Sequence, residues 1–188
     1  MSERRFPICV SPDQVMGLVE IVNSVGGVVD AERINDMTDV DADLLPHAID
    51  AAEMLGLLTF DSGNVKLTEA GRRLAQDNLK SVKRELGERI KRVELFRVLL
   101  TVLSEKGRLG KEEASEILRD YAEWGDNNNV DEVFNCLVSW VIYAQVARYD
   151  WEEDVLLPRR GLGKKTGGAL EPGEDLNPIR VAHDNNIS

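Results

Sequence analysis

Three short helical patterns running into a strand–turn–strand signature constrain this chain more than any other feature of its sequence. Ser11-Pro12-Asp13 opens the first pattern: a serine oxygen can cap free backbone N–H groups, and proline suits the first helical position. Val15, Leu18, Val19 and Val22 then recur at helical spacing, and Gly26-Gly27 ends the run. A second helix is expected around Asp30–Met37, with Ala31 and Ile34 inward. After the turn Thr38–Asp41 a third helix runs to Leu55, its inner face Leu45, Ala48, Ile49 and Ala52. Pro46 requires that helix to begin near Asp43, because proline is tolerated only in a first turn. Leu57–Phe60, Asp61–Asn64 and Val65–Leu67 read as strand, turn, strand, and Thr68 caps a further helix over Glu69–Ala75.

Three helices followed by a hairpin is the winged-helix arrangement. From Leu79 to about Glu105 the pattern is one long amphipathic helix. Its stripe is Leu79, Val82, Leu86, Ile90, Val93, Phe96, Leu100 and Leu103, about 40 Å from end to end. Gly87 weakens this helix and allows a bend. Two uses of the stripe stand open: packing against the core as a connector, or pairing with a second copy in a homodimer.

The second half repeats the first in order. Gly107–Gly110 breaks the long run, Lys111–Trp124 is helical, and the Asp126–Asn129 loop ends in a cap. Asp131–Ala144 is helical again, with Val133, Phe134, Leu137, Val138 and Val141 inward. Gln145–Asp150, Trp151–Asp154 and Val155–Leu157 form another strand–turn–strand. The fold class is therefore mainly α with two small β-hairpins (α+β). Tandem winged-helix-like units at 11–78 and 107–160 are joined by a connecting helix at 79–106, and the repetition lies in architecture rather than identity. Residues 161–188, rich in Gly, Pro, Asn and charge, read as a disordered tail.

Composition narrows the function classes. No stretch approaches the roughly 18 apolar residues of a membrane span, and Met1–Pro7 has no apolar signal region, so direct membrane insertion is not expected. Cys9 and Cys136 form no CxxC pair, which excludes a disulfide framework or zinc knuckle and fits a cytoplasmic location. The net charge of −11 argues against a generic DNA-coating protein. That charge is blocked: residues 1–60 hold 3 basic and 11 acidic side chains (net −8), and residues 61–110 hold 12 and 7 (net +5). Residues 111–160 hold 5 and 12 (net −7). Two acidic lobes thus flank a basic element.

The span Val10–Leu157 resembles the C-terminal AAA-associated domain family, found at the end of ATP-binding subunits of nitrate/sulfonate/bicarbonate-type ABC transporters. The resemblance rests on Gln14–Glu20 with Gly26-Gly27, on Asp43–Pro46 with Ala51–Gly56, and on Leu67–Gly71. Ser139-Trp140 and Tyr143-Ala144 add to it. It implies association with, or regulation of, a transporter ATPase, and it implies no reaction. The ATPase's own phosphate loop is not matched. Gly163–Thr166 imitates its end, but Pro158 and Lys165 stand where glycine and Ser/Thr are required, so no nucleotide cofactor is expected.

Little in the chain points to catalysis. His183 falls in the tail. His47 has Asp43 four residues before it and Asp50 three after, on one helical face, an arrangement that favours imidazolium. One helix seldom completes a metal shell, so the plain reading is a surface histidine, and no metal is assigned. Neither a nucleophile nor a general base is nominated, and the chain is expected not to be an enzyme. The third helix of a winged helix ordinarily enters the major groove, yet here it offers Asp43, His47 and Asp50, and no Lys or Arg occurs between Arg33 and Lys66. Readout by that helix is disfavoured by charge. Two candidate partner surfaces remain: Asp43, His47 and Asp50 for a protein partner, and Arg72, Arg73, Lys80, Lys83 and Arg84. The latter set is also the surface an alternative DNA-binding regulator would use.

Overall fold

The computed structural model of the chain describes residues 4–38, 41–124 and 129–159. The expected tail lies outside them. The short strand β1 (Phe6–Pro7) leads into α1 (Pro12–Ser24), whose start is a capping box. The Gln14 N–H donates to Ser11 Oγ at 3.2 Å, and the Ser11 N–H donates to Gln14 Oε1 at 2.8 Å. Then follow β2 (Val28–Asp30), α2 (Ala31–Asn35), α3 (Leu45–Met54), β3 (Leu58–Asp61) and β4 (Asn64–Leu67). The β3–β4 hairpin closes through Ser62 and Gly63, both at positive φ (50° and 82°), the conformation that matches strand twist in a two-residue turn.

Two helices intervene, α4 (Glu69–Gln76) and α5 (Leu79–Ile90). The second half consists of α6 (Glu94–Lys106), β5 (Leu109–Gly110), α7 (Lys111–Tyr121), β6 (Ala122–Glu123), α8 (Val130–Tyr143), β7 (Ala147–Asp150) and β8 (Val155–Pro158). Sheet order is β2-β4-β3 in the first half and β5-β8-β7 in the second, antiparallel throughout. Each hairpin thus takes a third strand from the segment that precedes the middle helix, strands too short for the sequence pattern to display. The first helical turns past α3 and α8 also correspond. Gly56 (φ 66°) and Gln145 (φ 54°) both take the left-handed conformation, and the Leu57 and Val146 N–H groups reach back to the carbonyls of Ala52 and Val141.

Two expectations need correction. The continuous helix expected over 79–106 is two helices, broken at Lys91–Val93 rather than bent at Gly87. There the Arg92 and Val93 N–H groups turn back to Arg89 and Ile90, and Val93 is extended (φ −74°, ψ 131°). The break re-aims α6, burying Leu95, Phe96, Leu99 and Leu103 instead of continuing the straight stripe through Leu100. Of that stripe Val82, Leu86, Ile90, Val93, Phe96 and Leu103 are buried within the one chain, so these side chains form no dimer seam. Second, residues 4–10 precede the boundary drawn at Ser11, yet Phe6, Ile8 and Val10 are fully buried. Phe6 packs edge-on against Phe96 and Trp140, each at 5.2 Å between ring centres, and β1 pairs parallel with β6. The N-terminal segment joins the two halves of the core.

Candidate functional site

The candidate acidic surface is partly engaged within the chain. Asp43 lies exposed in the turn before α3, off the helical face assumed for it. His47 and Asp50 sit on α3, and the segment carrying β1 packs across that helix. The Arg4 guanidinium donates to Asp50 Oδ1, and to Glu53 Oε2 at 2.7 Å. Glu53 also receives the Phe60 N–H at 3.0 Å. Arg4's hydrogen bond is the largest cause holding the Glu53 carboxyl below its ordinary range, and that same bond raises the Arg4 guanidinium. His47 Nδ1 lies 3.9 Å from Glu123 Oε1, on β6. Of the set that the sequence offered to a partner, Asp50 is thus paired with Arg4 and His47 lies beside Glu123, while Asp43 stays exposed. Charge pairing across more than 40 residues carries no sequence signature, so the pattern could not reveal it.

The basic set is scattered in its engagements. Arg72 lies over Gly27, where an added Cβ would stand 2.6 Å from its terminal nitrogen. Arg73 pairs with Glu85 at 3.5 Å, and Glu85 also takes Arg89 at 2.9 Å. The Lys83 ammonium sits 5.2 Å from the centre of the Tyr143 ring, a cation–π distance. Lys80 and Arg84 are exposed with no ion pair among the described residues. Arg72 likewise makes no ion pair among the described residues, so three of the five cations are unpaired.

A further surface lies on α8. Its outward positions Asn135, Ser139 and Ile142 line a cleft of about 480 Å³ with Asp13, Lys83 and Trp151. Trp151, in the turn of the second hairpin, is 76% exposed, and Ile142 is 42% exposed. The Trp151 ring packs edge-on to Tyr149 at 4.6 Å, so it stands on a fixed support. Asp150 holds that turn by accepting the Glu152 and Glu153 N–H groups at 3.0 and 3.2 Å. Trp124 and Trp140 behave as anchors: their indole N–H groups donate to Leu118 and Val10 carbonyls at 3.1 and 2.8 Å. Trp151 does not.

Chemical groups are sparse. Burial raises the thiols of Cys9 and Cys136, so neither is an activated nucleophile. Among the described residues no group of three or more His, Cys, Asp or Glu could hold a metal, and no helix is long and apolar enough to cross a membrane. His183 and Gly163–Thr166 lie outside the described residues.

No curated protein and no solved structure matches the chain. The family model for the C-terminal AAA-associated domain matches residues 32–150, more than half of it. The matched span opens in α2, takes in the first hairpin, the α5–α6 break and α8, and closes at the end of β7. It leaves out the Gln14–Gly27 motif, β8 and Trp151, so the resemblance read from Val10 to Leu157 is matched over 32–150, and on that span the chain belongs to the C-terminal AAA-associated domain family.

Proposed function

We propose that this chain is a non-catalytic accessory module of two winged-helix-like units that docks on the ATP-binding subunit of an ABC transporter and regulates it. The single observation that carries the reading is the contrast between α3 and α8. On α3 the carboxylates Asp50 and Glu53 are paired with Arg4, whereas Ile142 on α8 and Trp151 in the adjoining turn stand in solvent. An exposed large apolar pair beside a rigid turn is a feature of protein-interaction surfaces, where tryptophan carries much of the binding energy. The family membership supplies the class of partner, and the helix–strand–helix–helix–hairpin order of each half supports the winged-helix description.

The alternative, DNA binding through Arg72, Arg73, Lys80, Lys83 and Arg84, draws support from the exposed cations Arg72, Lys80 and Arg84, which make no ion pair among the described residues. Against it stand the carboxylates of α3 and of the second turn, Asp150, Glu152, Glu153 and Asp154, which repel phosphate. Biolayer interferometry of the full chain against purified ATP-binding subunits of this transporter class tests the reading. Binding that weakens at least tenfold in Trp151→Ala supports it. Binding of a random duplex at low salt, abolished by Arg72→Glu/Arg73→Glu, would replace it with the alternative.

A further inference from the structure

A second cleft, separate from the α8 surface, opens between α6 and the base of the second hairpin, with a volume of about 520 Å³. That falls within the roughly 300–1,000 Å³ typical of small-molecule sites. Its apolar wall is Leu100, Leu103, Val146 and Pro158, and Thr101 and Ser104 add hydroxyl groups. Three cations line it, Lys91, Arg97 and Arg159, against one carboxylate, Glu105. Lys91 and Arg97 each pair with a carboxylate three residues earlier, Glu88 at 2.7 Å and Glu94 at 3.2 Å, and neither of those acids lines the cleft. Arg159 has no ion pair among the described residues. It donates one N–H to the Gln145 carbonyl at 2.9 Å, which fixes the guanidinium and leaves its other donors unused.

We propose that this cleft binds a small amphiphilic anion, its apolar body against Leu100, Leu103, Val146 and Pro158 and its anionic head at Arg97 and Arg159. The occupant follows from the juxtaposition. A purely apolar ligand makes no use of the positive charge that Arg97 and Arg159 bring to the cleft, and a purely ionic one leaves the apolar wall wet. A carboxylate or sulfonate on a hydrocarbon body satisfies both, because guanidinium matches planar or trigonal oxyanions with paired N–H donors. The site makes no use of Ile142, Trp151 or the α3 face, so it is independent of how the chain docks on a protein.

Isothermal titration of the full chain with sodium decanoate below its micellar concentration, and with 1-decanol as the uncharged control, tests the site. The expected result is saturable one-to-one decanoate binding, at least tenfold tighter than decanol. It falls at least tenfold in Arg97→Gln/Arg159→Gln and in Leu100→Asp. All three exchanged side chains are exposed or half-buried, so the thermal midpoint of each variant stays within a few degrees of the parent and reports an intact fold. Equal affinity for decanoate and decanol, decanoate affinity unchanged by the double substitution, or no saturable decanoate binding up to the micellar limit overturns the proposal.

Discussion

The indole N–H of Trp140 donates to the carbonyl oxygen of Val10 at 2.8 Å, a bond between α8 and the N-terminal segment that spans 130 residues of chain. Around it Phe6 meets Phe96 and Trp140 edge to face and those two rings are tilted to each other, so three distant segments share one aromatic cluster. Each ring is fully buried.

Removing this bond costs stability in two parts. Trp140→Phe leaves the buried Val10 carbonyl without its donor and opens a small void, a loss of about 1–3 kcal/mol. Phe6→Ala opens a larger cavity and costs about 3–5 kcal/mol. Urea unfolding with an unchanged slope checks both values, and the chain lacking residues 1–10 loses the cooperative transition.

Gly71 and Gly87 reverse the usual helix-propensity rule. A Cβ at Gly71 would lie 2.0 Å from the Leu57 carbonyl oxygen, and one at Gly87 would lie 2.5 Å from that of Ala144. Both contacts are with backbone just past α3 and at the end of α8, which cannot step aside as a flexible side chain can. Gly71→Ala and Gly87→Ala therefore destabilise by about 1–3 kcal/mol or more, although alanine is the better helix former. Gly17, in α1, has nothing within 4 Å of the added atom, so Gly17→Ala stabilises by about 0.5–1 kcal/mol. Thermal unfolding of the three variants separates the signs.

The Arg4 clasp on α3 gives a pH signature. Glu53 is held below the usual carboxylate range chiefly by Arg4, so its contribution is present above the unfolded-state value of about 4.3 and is lost as pH falls through the lower folded value. Both partners are partly exposed, which limits the pair to no more than about 1 kcal/mol. Arg4→Ala is accordingly less stable than the parent at pH 7. The difference closes as pH drops below about 4, measured by urea titration across pH 3 to 7.

Trp151 separates binding from folding. Its side chain is largely in solvent, so Trp151→Ala changes unfolding free energy by no more than about 0.5 kcal/mol. Under the docking proposal the same substitution weakens association with an ATP-binding subunit at least tenfold. Matched unfolding and interferometry curves for the one variant check the split.

Much of this protein was legible in its sequence because the signals are local. Ser11, Thr68 and Asn129 cap the helices they were expected to cap, each through a hydrogen bond three residues long. Ser62-Gly63 turns the first hairpin, and the order of helices and hairpins follows from periodicity alone. What only tertiary structure decided needs a partner far along the chain. The apolar stripe from Leu79 to Leu103 is compatible with a straight helix. It is broken at Val93, and Phe96 beyond the break packs against Phe6 and Trp140. Asp50 carries the same charge whether free or clasped, and nothing within a few residues of it announces Arg4. Periodicity says which side of an element is apolar, but which of two polar faces stays in water depends on what the rest of the chain lays over it. On α3 the rest of the chain pairs Asp50 and Glu53 with Arg4, and on α8 it leaves Ile142 in solvent.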